Sequence, residues 1–270
     1  MTPTRKGKRR RKPPPARAMP FKSYGEKLEA LAPVATFDAS IFEGDAECPQ
    51  HVCNLVAALA VAHNDLNDIS LGFELRQSLG TVSDEGLTKE RGLSGGIGLH
   101  LVKLRTSVIH ELIVLLGKEK KSVDHPWFQY LISSMHPSNR RHWLTLQEVA
   151  DGRKGRSPMG VFLAACRDKV AFHYDAKIIG RALRERFSSA EHHPCLSKGI
   201  HAGATRFYFA DAAVEEAMFP LSSPAKFSTE FGQGRAPLIA SMDHALNSVV
   251  TRFIEMRRGK LRPVDSEVKN

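Results

Sequence analysis

The segment 167–173 combines residue types that could perform acid–base chemistry on a phosphate ester. Arg167 is followed directly by Asp168, and His173 lies six positions after the arginine. A guanidinium can hold a phosphate through two parallel hydrogen bonds and can stabilise charge that grows in a transition state. A histidine titrates near neutral pH, so His173 could take up or release a proton. This segment is therefore the first candidate for a catalytic site.

The order and spacing of these residues resemble the R-x(4–6)-H motif of the HEPN superfamily. The longer stretch RDKVAFHYD is similar to abortive-infection members of that superfamily, which carry an arginine, an Asp or Asn and a His-Tyr pair. The resemblance implies a helical bundle and a homodimer that brings two motifs into one cleft. It also implies a setting in microbial defence or in a toxin–antitoxin pair, with a cognate antitoxin protein as partner.

The activity that this resemblance implies is endoribonuclease cleavage without a metal or other cofactor. RNA carries its own nucleophile, the 2′-hydroxyl, so a base, an acid and a phosphate-binding group suffice. His173 would transfer the proton, Arg167 would bind the scissile phosphate, and Asp168 would orient or polarise the motif. In some toxin members a tyrosine lies two positions after the histidine and is modified by the antitoxin. Here Tyr174 follows immediately, so that form of regulation is not expected.

Further residues near the motif are candidates for contacts with RNA. Lys169 and Tyr174 belong to the motif segment, and a basic loop precedes the predicted helix that starts at Ser157-Pro158. Its cations are Arg153, Lys154 and Arg156. The loop would guide phosphates if the motif is a nuclease site, and otherwise it is an ordinary exposed turn.

The spacing does not by itself place Arg167 and His173 side by side. Six residues of a straight helix rotate by about 600° and rise by about 9 Å, which leaves the two side chains about a third of a turn apart. Two solutions remain open. A homodimer could pair two motifs, or the helix could break near Tyr174, with Asp175 capping a new helix over 176–187.

The elements around the motif are predicted to be helices, because apolar residues recur at spacings of three and four. One stripe runs from Val52 to Phe73 and predicts a helix over 49–79. A second runs from Ile97 to Leu115, and a third predicts a C-terminal helix over 237–258. Shorter helices are expected at 126–135 and 138–150, and a polar connection at 81–96. Near 205–210 the aromatic residues favour one short strand, and a buried extended segment or a helix stays open as the alternative. The predicted fold class is all-α, an antiparallel helix bundle, and the motif resemblance implies that this bundle is of HEPN type.

The positive charge of the chain is concentrated at its N-terminus. The formal net charge is +10, and residues 1–22 contain nine Lys or Arg and no acid. The rest of the chain is therefore close to neutral. Such a segment cannot bury enough apolar surface to order itself, so a disordered basic tail is expected over 1–22. A single helical domain would cover 23–260, with a HEPN-like core over about 49–187, and 261–270 would be a flexible C-terminus.

Composition excludes several classes of protein. No apolar stretch reaches the roughly 20 residues that span a bilayer, and no apolar segment follows the basic N-terminus as in a secretory signal. With only four cysteines, a disulfide framework is not expected, and a cytoplasmic location follows. No metal site is predicted, because His192, His193 and Cys195 lack a second pair of ligands.

Two rival interpretations remain open. The chain could be a non-catalytic helical module that binds nucleic acid or a partner protein, with the motif residues holding the bundle together. Alternatively, the basic tail alone could bind DNA. Asn139–Trp143 could contact RNA through charge and stacking, but a solvated helix face with Trp143 turned inward is the preferred interpretation. The pairs His63/Asp65 and His110/Glu111 could lie near the motif, but they are interpreted as surface or satisfied core residues.

Overall fold

The computed structural model describes residues 35–78, 89–152, 175–188, 193–196, 206–218, 233–257 and 262–263, all within one compact unit, Pro33–Asn270. The described residues form a mainly α-helical bundle. Its helices are α1 (Gln50–Ser78), α2 (Lys89–Lys118), α3 (Lys120–Val123), α4 (Pro126–Ser133), α5 (Pro137–Gly152), α6 (Ala176–Arg186), α7 (Tyr208–Met218) and α8 (Gln233–Met256). A short 3-10 helix, Ala39–Phe42, precedes them.

The apolar stripes lie where their helical spacing predicts. On α1, Val52, Leu55, Leu59 and Leu66 are buried. On α8, the buried residues are Met242, Leu246, Val249 and Phe253. The predicted helices over 49–79, 126–135, 138–150 and 237–258 are confirmed to within a few residues at their ends. The all-α class and the bundle architecture are thus confirmed.

The connection predicted over 81–96 is wrong for its second half. Helix α2 begins at Lys89 and includes Gly95, Gly96 and Gly98. Glycine in a helix costs about 1 kcal/mol relative to alanine, which favoured a loop. Two of these glycines instead allow close packing, because a Cβ on Gly98 would meet Arg76 and one on Gly96 would lie 2.8 Å from Asp211 Oδ2. Residues 81–88 lie outside the described residues.

Near 205–210 the short strand is wrong, and the helix that was left open as an alternative is present. Helix α7 begins at Tyr208, and Arg206 forms only an isolated bridge. The aromatic residues Phe207, Tyr208 and Phe209 favoured a sheet, but an alanine- and glutamate-rich run follows them as far as Met218. That run has high helix propensity, and it extends the helix back into the aromatic residues.

The core forms where α8 packs against α1 and α5 and where α1 packs against α2. Its largest buried side chains are Trp143, Phe128 and Phe253. Trp143 meets Phe128 edge to face, with 5.3 Å between ring centroids, and Trp127 meets Phe253 at 5.6 Å. Trp143 is turned inward, as the helix-face interpretation predicts. Helices α6 and α7 pack on each other, and α7 packs on α2.

Residues before α1 and after α8 are tied together. Two-residue strands, β1 (Ala35–Thr36) and β2 (Arg262–Pro263), pair in antiparallel fashion. Arg257 donates to the carbonyl oxygens of Ile41 at 3.0 Å and Glu43 at 2.6 Å and forms an ion pair with Asp45. The Cys48 backbone N–H and Arg257 lower the pKa of Asp45 to about 2. The segment that enters the bundle is therefore held by the end of α8.

No helix in the described part of the chain is long and apolar enough to cross a membrane.

Candidate functional site

The residues of the predicted catalytic site lie outside the described residues. Arg167, Asp168 and His173 fall between Gly152 and Asp175, and so do the predicted RNA-binding residues Lys169, Tyr174, Arg153, Lys154 and Arg156. The two flanks of this segment are described: α5 ends at Gly152, and α6 begins at Ala176.

Asp175, two residues after His173, is not helical and directly precedes helix α6. Its backbone is extended, with φ −70° and ψ 102°, and its Oδ1 accepts hydrogen bonds from the backbone N–H groups of Lys177 at 2.9 Å and Ile178 at 3.1 Å. These contacts are those of a helix N-cap. The predicted cap at Asp175 and the new helix after it are confirmed. No single straight helix therefore runs from the motif into α6.

Helix α6 is anchored to α7 through one of its arginines. Arg186 lies 3.5 Å from a carboxylate oxygen of Glu215 and 3.8 Å from one of Glu216, and Glu216 is only 4% exposed. A buried carboxylate is stable only when it is paired, so this contact fixes the rotation of α6 about its axis. The remaining cations of α6, Lys177, Arg181 and Arg184, are exposed.

A second group of titratable residues lies inside the bundle. His63 of α1 and Arg105 of α2 each interact electrostatically with Asp243 of α8. Arg105 donates through Nη2 to Ser70 Oγ at 2.8 Å, and its guanidinium lies 4.5 Å from the centroid of the Phe73 ring. We call His63, Arg105 and Asp243 the bundle cluster.

Burial shifts the titration of the bundle cluster. It raises the pKa of the Asp243 carboxyl, and the charges of His63, Arg105 and His244 oppose that shift. Burial also lowers the pKa of the His63 imidazole, against the attraction of Asp243. Both shifts disfavour the charged forms, as expected for groups removed from water.

The contact with Asn67 indicates which ring nitrogen of neutral His63 carries the proton. The Asn67 amide nitrogen lies 3.0 Å from His63 Nε2, and an amide nitrogen only donates hydrogen bonds. Nε2 is therefore the acceptor, and the neutral ring carries its proton on Nδ1. Nδ1 is buried without a hydrogen-bond partner, as are Arg105 Nε and Asp243 Oδ1. The bundle cluster thus presents two buried donors and one buried acceptor.

These atoms are shielded from a polymeric substrate. Each of the three has almost no accessible surface. A phosphodiester of RNA could not reach them unless the helices separated. The arrangement fits a polar network that specifies how α1, α2 and α8 pack better than it fits a nuclease site.

Two histidines lie between α5 and α8. The rings of His142 and His244 stack with 5.0 Å between centroids, and His142 Nδ1 lies 3.1 Å from Ser241 Oγ. Burial, His244 and Arg141 lower the pKa of His142. Among the residues that the structure describes, no three His, Cys, Asp or Glu side chains are placed to hold a metal ion.

The sequence alone pointed to His63 beside Asp65, and it gave no prediction for Arg105 or Asp243. A signal was present, because Arg105 follows Leu104 and Asp243 follows Met242 within apolar stripes. A charged residue beside a stripe position faces the edge of the core. Its partners across the bundle, however, cannot be found from spacing along one helix.

Comparison with known proteins adds no relative to this description. No family model matches the chain, and no curated protein or solved structure matches it.

Proposed function

We propose that the protein is a metal-independent endoribonuclease of the HEPN type, with Arg167, Asp168 and His173 as its site. The observation that carries the proposal is the segment Arg167-Asp168 followed by His173-Tyr174 in an α-helical chain. The N-cap at Asp175 supports it, because a helix boundary directly after the motif frees His173 from the geometry of a helix continuous with α6.

The proposed reaction is an intramolecular transesterification of RNA. The 2′-oxygen attacks the adjacent phosphorus, a new P–O2′ bond forms, and the P–O5′ bond breaks. One proton leaves the 2′-hydroxyl and one is added to the departing 5′-oxygen, which gives a 2′,3′-cyclic phosphate and a 5′-hydroxyl. The step needs one base and one acid, and a homodimer supplies two copies of His173 for these roles.

Arg167 serves the charge of the same step. Its guanidinium binds the two non-bridging phosphate oxygens, and the interaction strengthens as negative charge builds in the transition state. Asp168 orients this arginine or polarises the motif. The setting in microbial defence, with an antitoxin as regulator, is part of the proposal and rests on the resemblance alone.

The test is cleavage of RNA by purified protein in EDTA. Wild type should cleave, and His173→Ala and Arg167→Ala should each lose about 10²–10⁴-fold in rate at equal dimer content. Matched controls are His100→Ala and Arg141→Ala, which remove an exposed histidine and an exposed arginine elsewhere. Both controls should cleave like wild type.

Other outcomes separate the rival functions. If wild type cleaves none of several RNAs, the helical binding module is favoured. If all variants cleave equally, the activity belongs to a contaminant or to another site. If His63→Gln abolishes cleavage while His173→Ala does not, the chemistry belongs to the bundle cluster.

A further inference from the structure

Helix α6 carries three exposed cations on one narrow stripe. Lys177, Arg181 and Arg184 are spaced by four and three residues, which places them within about 60° around the helix axis and over about 10 Å of its length. Arg181 lies 3.8 Å from Glu185, a pair in which both side chains are more than half exposed. Within the described part of the chain, Lys177 and Arg184 form no ion pair. We call these three residues the cationic stripe.

Helix stability does not account for this stripe. Cations in the last turn favour a helix, which explains Arg184 in part, but Lys177 lies in the first turn, where the helix dipole opposes a positive charge. The contact that anchors α6 to α7 uses Arg186 and not the stripe. Helix α6 thus concentrates positive charge on one face, although the chain after residue 22 is close to neutral. No described element covers this face.

The stripe ends at an apolar cavity with aromatic walls. A cavity of about 510 Å³ is lined by Leu183, Arg184, Phe187, Pro194 and Phe209. This cavity opens widely to the protein surface, so its apolar walls are accessible to a flat ring. Arg184 belongs both to the stripe and to the cavity wall, so the charged and apolar surfaces are continuous.

A further aromatic side chain is exposed next to this cavity. Phe207 is 52% exposed and meets the Phe209 ring at 5.7 Å in an edge-to-face arrangement. The backbone around it is fixed, because Phe209 N–H donates to the Cys195 carbonyl at 3.1 Å and Arg206 holds Asp211 through two hydrogen bonds. A positively charged track beside fixed aromatic rings is the arrangement by which proteins bind single strands of nucleic acid.

We infer that the surface formed by the cationic stripe, Phe207 and the α6–α7 cavity binds single-stranded RNA. The stripe contacts successive phosphates, a base enters the cavity against Phe187 and Phe209, and a second base stacks on Phe207. This inference rests on the proposed function for its choice of RNA. Lys177 follows His173 by four residues in the sequence, so the stripe begins close along the chain to the proposed catalytic histidine.

The first experiment measures binding separately from cleavage. The full chain carrying His173→Ala is titrated against a short fluorescein-labelled oligouridine in EDTA, and anisotropy is followed over a range of salt concentrations. Adding Lys177→Gln, Arg181→Gln and Arg184→Gln together should weaken binding about tenfold or more at low salt. It should also make the slope of log affinity against log salt shallower by about 2, since each phosphate contact contributes about 0.7.

The chain offers a control of equal charge. Lys118, Lys120 and Lys121 are also exposed, and changing all three to glutamine removes an equal number of positive charges from another part of the surface. This control should leave the affinity within about twofold, with the salt slope nearly unchanged. If the control weakens binding as much as the stripe variant, net charge and not the stripe binds RNA, and the inference is overturned.

The aromatic part is tested by Phe207→Ala. Loss of one stacked base should weaken binding by about fivefold or more with no change in salt slope. Tyr130→Ala, which removes another exposed ring, is the control and should bind normally. If Phe207→Ala instead changes only the oligomeric state, the surface is an interface between copies of the chain and the inference fails.

The results distinguish this inference from the proposed function. Stripe-dependent binding without any cleavage by wild type would support the surface and reject the nuclease. Cleavage that depends on His173 but not on the stripe, with unchanged KM for the oligouridine, would support the nuclease and reject the surface.

Discussion

Burial acts in opposite directions on the pKa values of His63 and Asp243 in the bundle cluster. Burial lowers the pKa of His63, so the folded protein takes up a proton at this residue less readily than the unfolded chain. The stability that it contributes is fully present above its ordinary pKa of 6.5 and is lost as pH falls toward the folded value. His142 shifts in the same direction and adds to this loss.

We therefore expect the free energy of unfolding to fall between about pH 7.5 and pH 5.5, and to fall less in His63→Gln. Glutamine cannot be protonated, so it removes one of the two contributing histidines. Urea unfolding at the two pH values measures the difference, with His100→Gln as the exposed control. Equal losses in wild type and His63→Gln would contradict the assignment.

Asp243 makes a separate prediction of the opposite sign. Because its pKa is raised in the folded state, the folded protein holds that proton more tightly, and stability falls as pH rises above the ordinary value of 3.8. Asp243→Asn should remove this loss, so the variant should gain stability relative to wild type on going from about pH 4 to about pH 7. A pH-independent difference in urea unfolding would show that Asp243 ionises freely.

Trp143 and Leu144 are neighbours with opposite environments. Trp143 is fully buried against Phe128, whereas Leu144 is 48% exposed. Trp143→Ala should lower the free energy of unfolding by about 3–5 kcal/mol, because it removes a large side chain and leaves a cavity. Leu144→Ala should change it by less than about 0.5 kcal/mol. If denaturant unfolding shows similar losses of free energy for the two variants, Trp143 and Leu144 do not face the core and the solvent as described.

At the scale of elements, α2 contains two adjacent glycines whose surroundings differ. Gly95 is exposed, and a Cβ there would meet nothing, whereas Gly96 is buried and its Cβ would displace Arg206 from Asp211. Gly95→Ala should stabilise the protein by up to about 1 kcal/mol through helix propensity. Gly96→Ala should lose that gain or destabilise. Thermal unfolding of the two variants side by side tests this, and equal gains would place Arg206 elsewhere.

The positions of the long helices could be predicted from the sequence, but some of their first residues could not, because packing decides where those helices begin. The stripes of α1 and α8 needed only the periodicity of their own residues. The start of α2 did not follow from local preference, because Gly96 there packs closely against Arg206 and Asp211. At Tyr208 the aromatic residues favoured a strand, but the helix propensity of the run that follows them decided the outcome. Asp175 was predictable because an N-cap acts on backbone groups two and three residues away.

At the scale of the whole molecule, contacts between distant residues were beyond the sequence. Asp243 and His63 meet only because α8 packs against α1, and no spacing along either helix encodes that meeting. The cationic stripe, in contrast, lies within one helix, and its spacing of four and three residues can be read directly from the sequence. The motif at 167–173 remains a prediction, since it lies outside the described residues.

The distribution of charge over the whole chain leads to the last prediction. Residues 1–22 carry nine cations, while the buried core residues of the structure lie between Ile41 and Phe253. Deleting 1–22 should therefore leave the free energy of unfolding unchanged. It should weaken RNA binding at low salt and flatten its salt dependence, because fewer counterions are released. The stripe-dependent part of the affinity should persist at moderate salt, measured by the same anisotropy titration. Complete loss of binding on deletion would instead mean that the N-terminal segment alone holds nucleic acid and that the folded body contributes none.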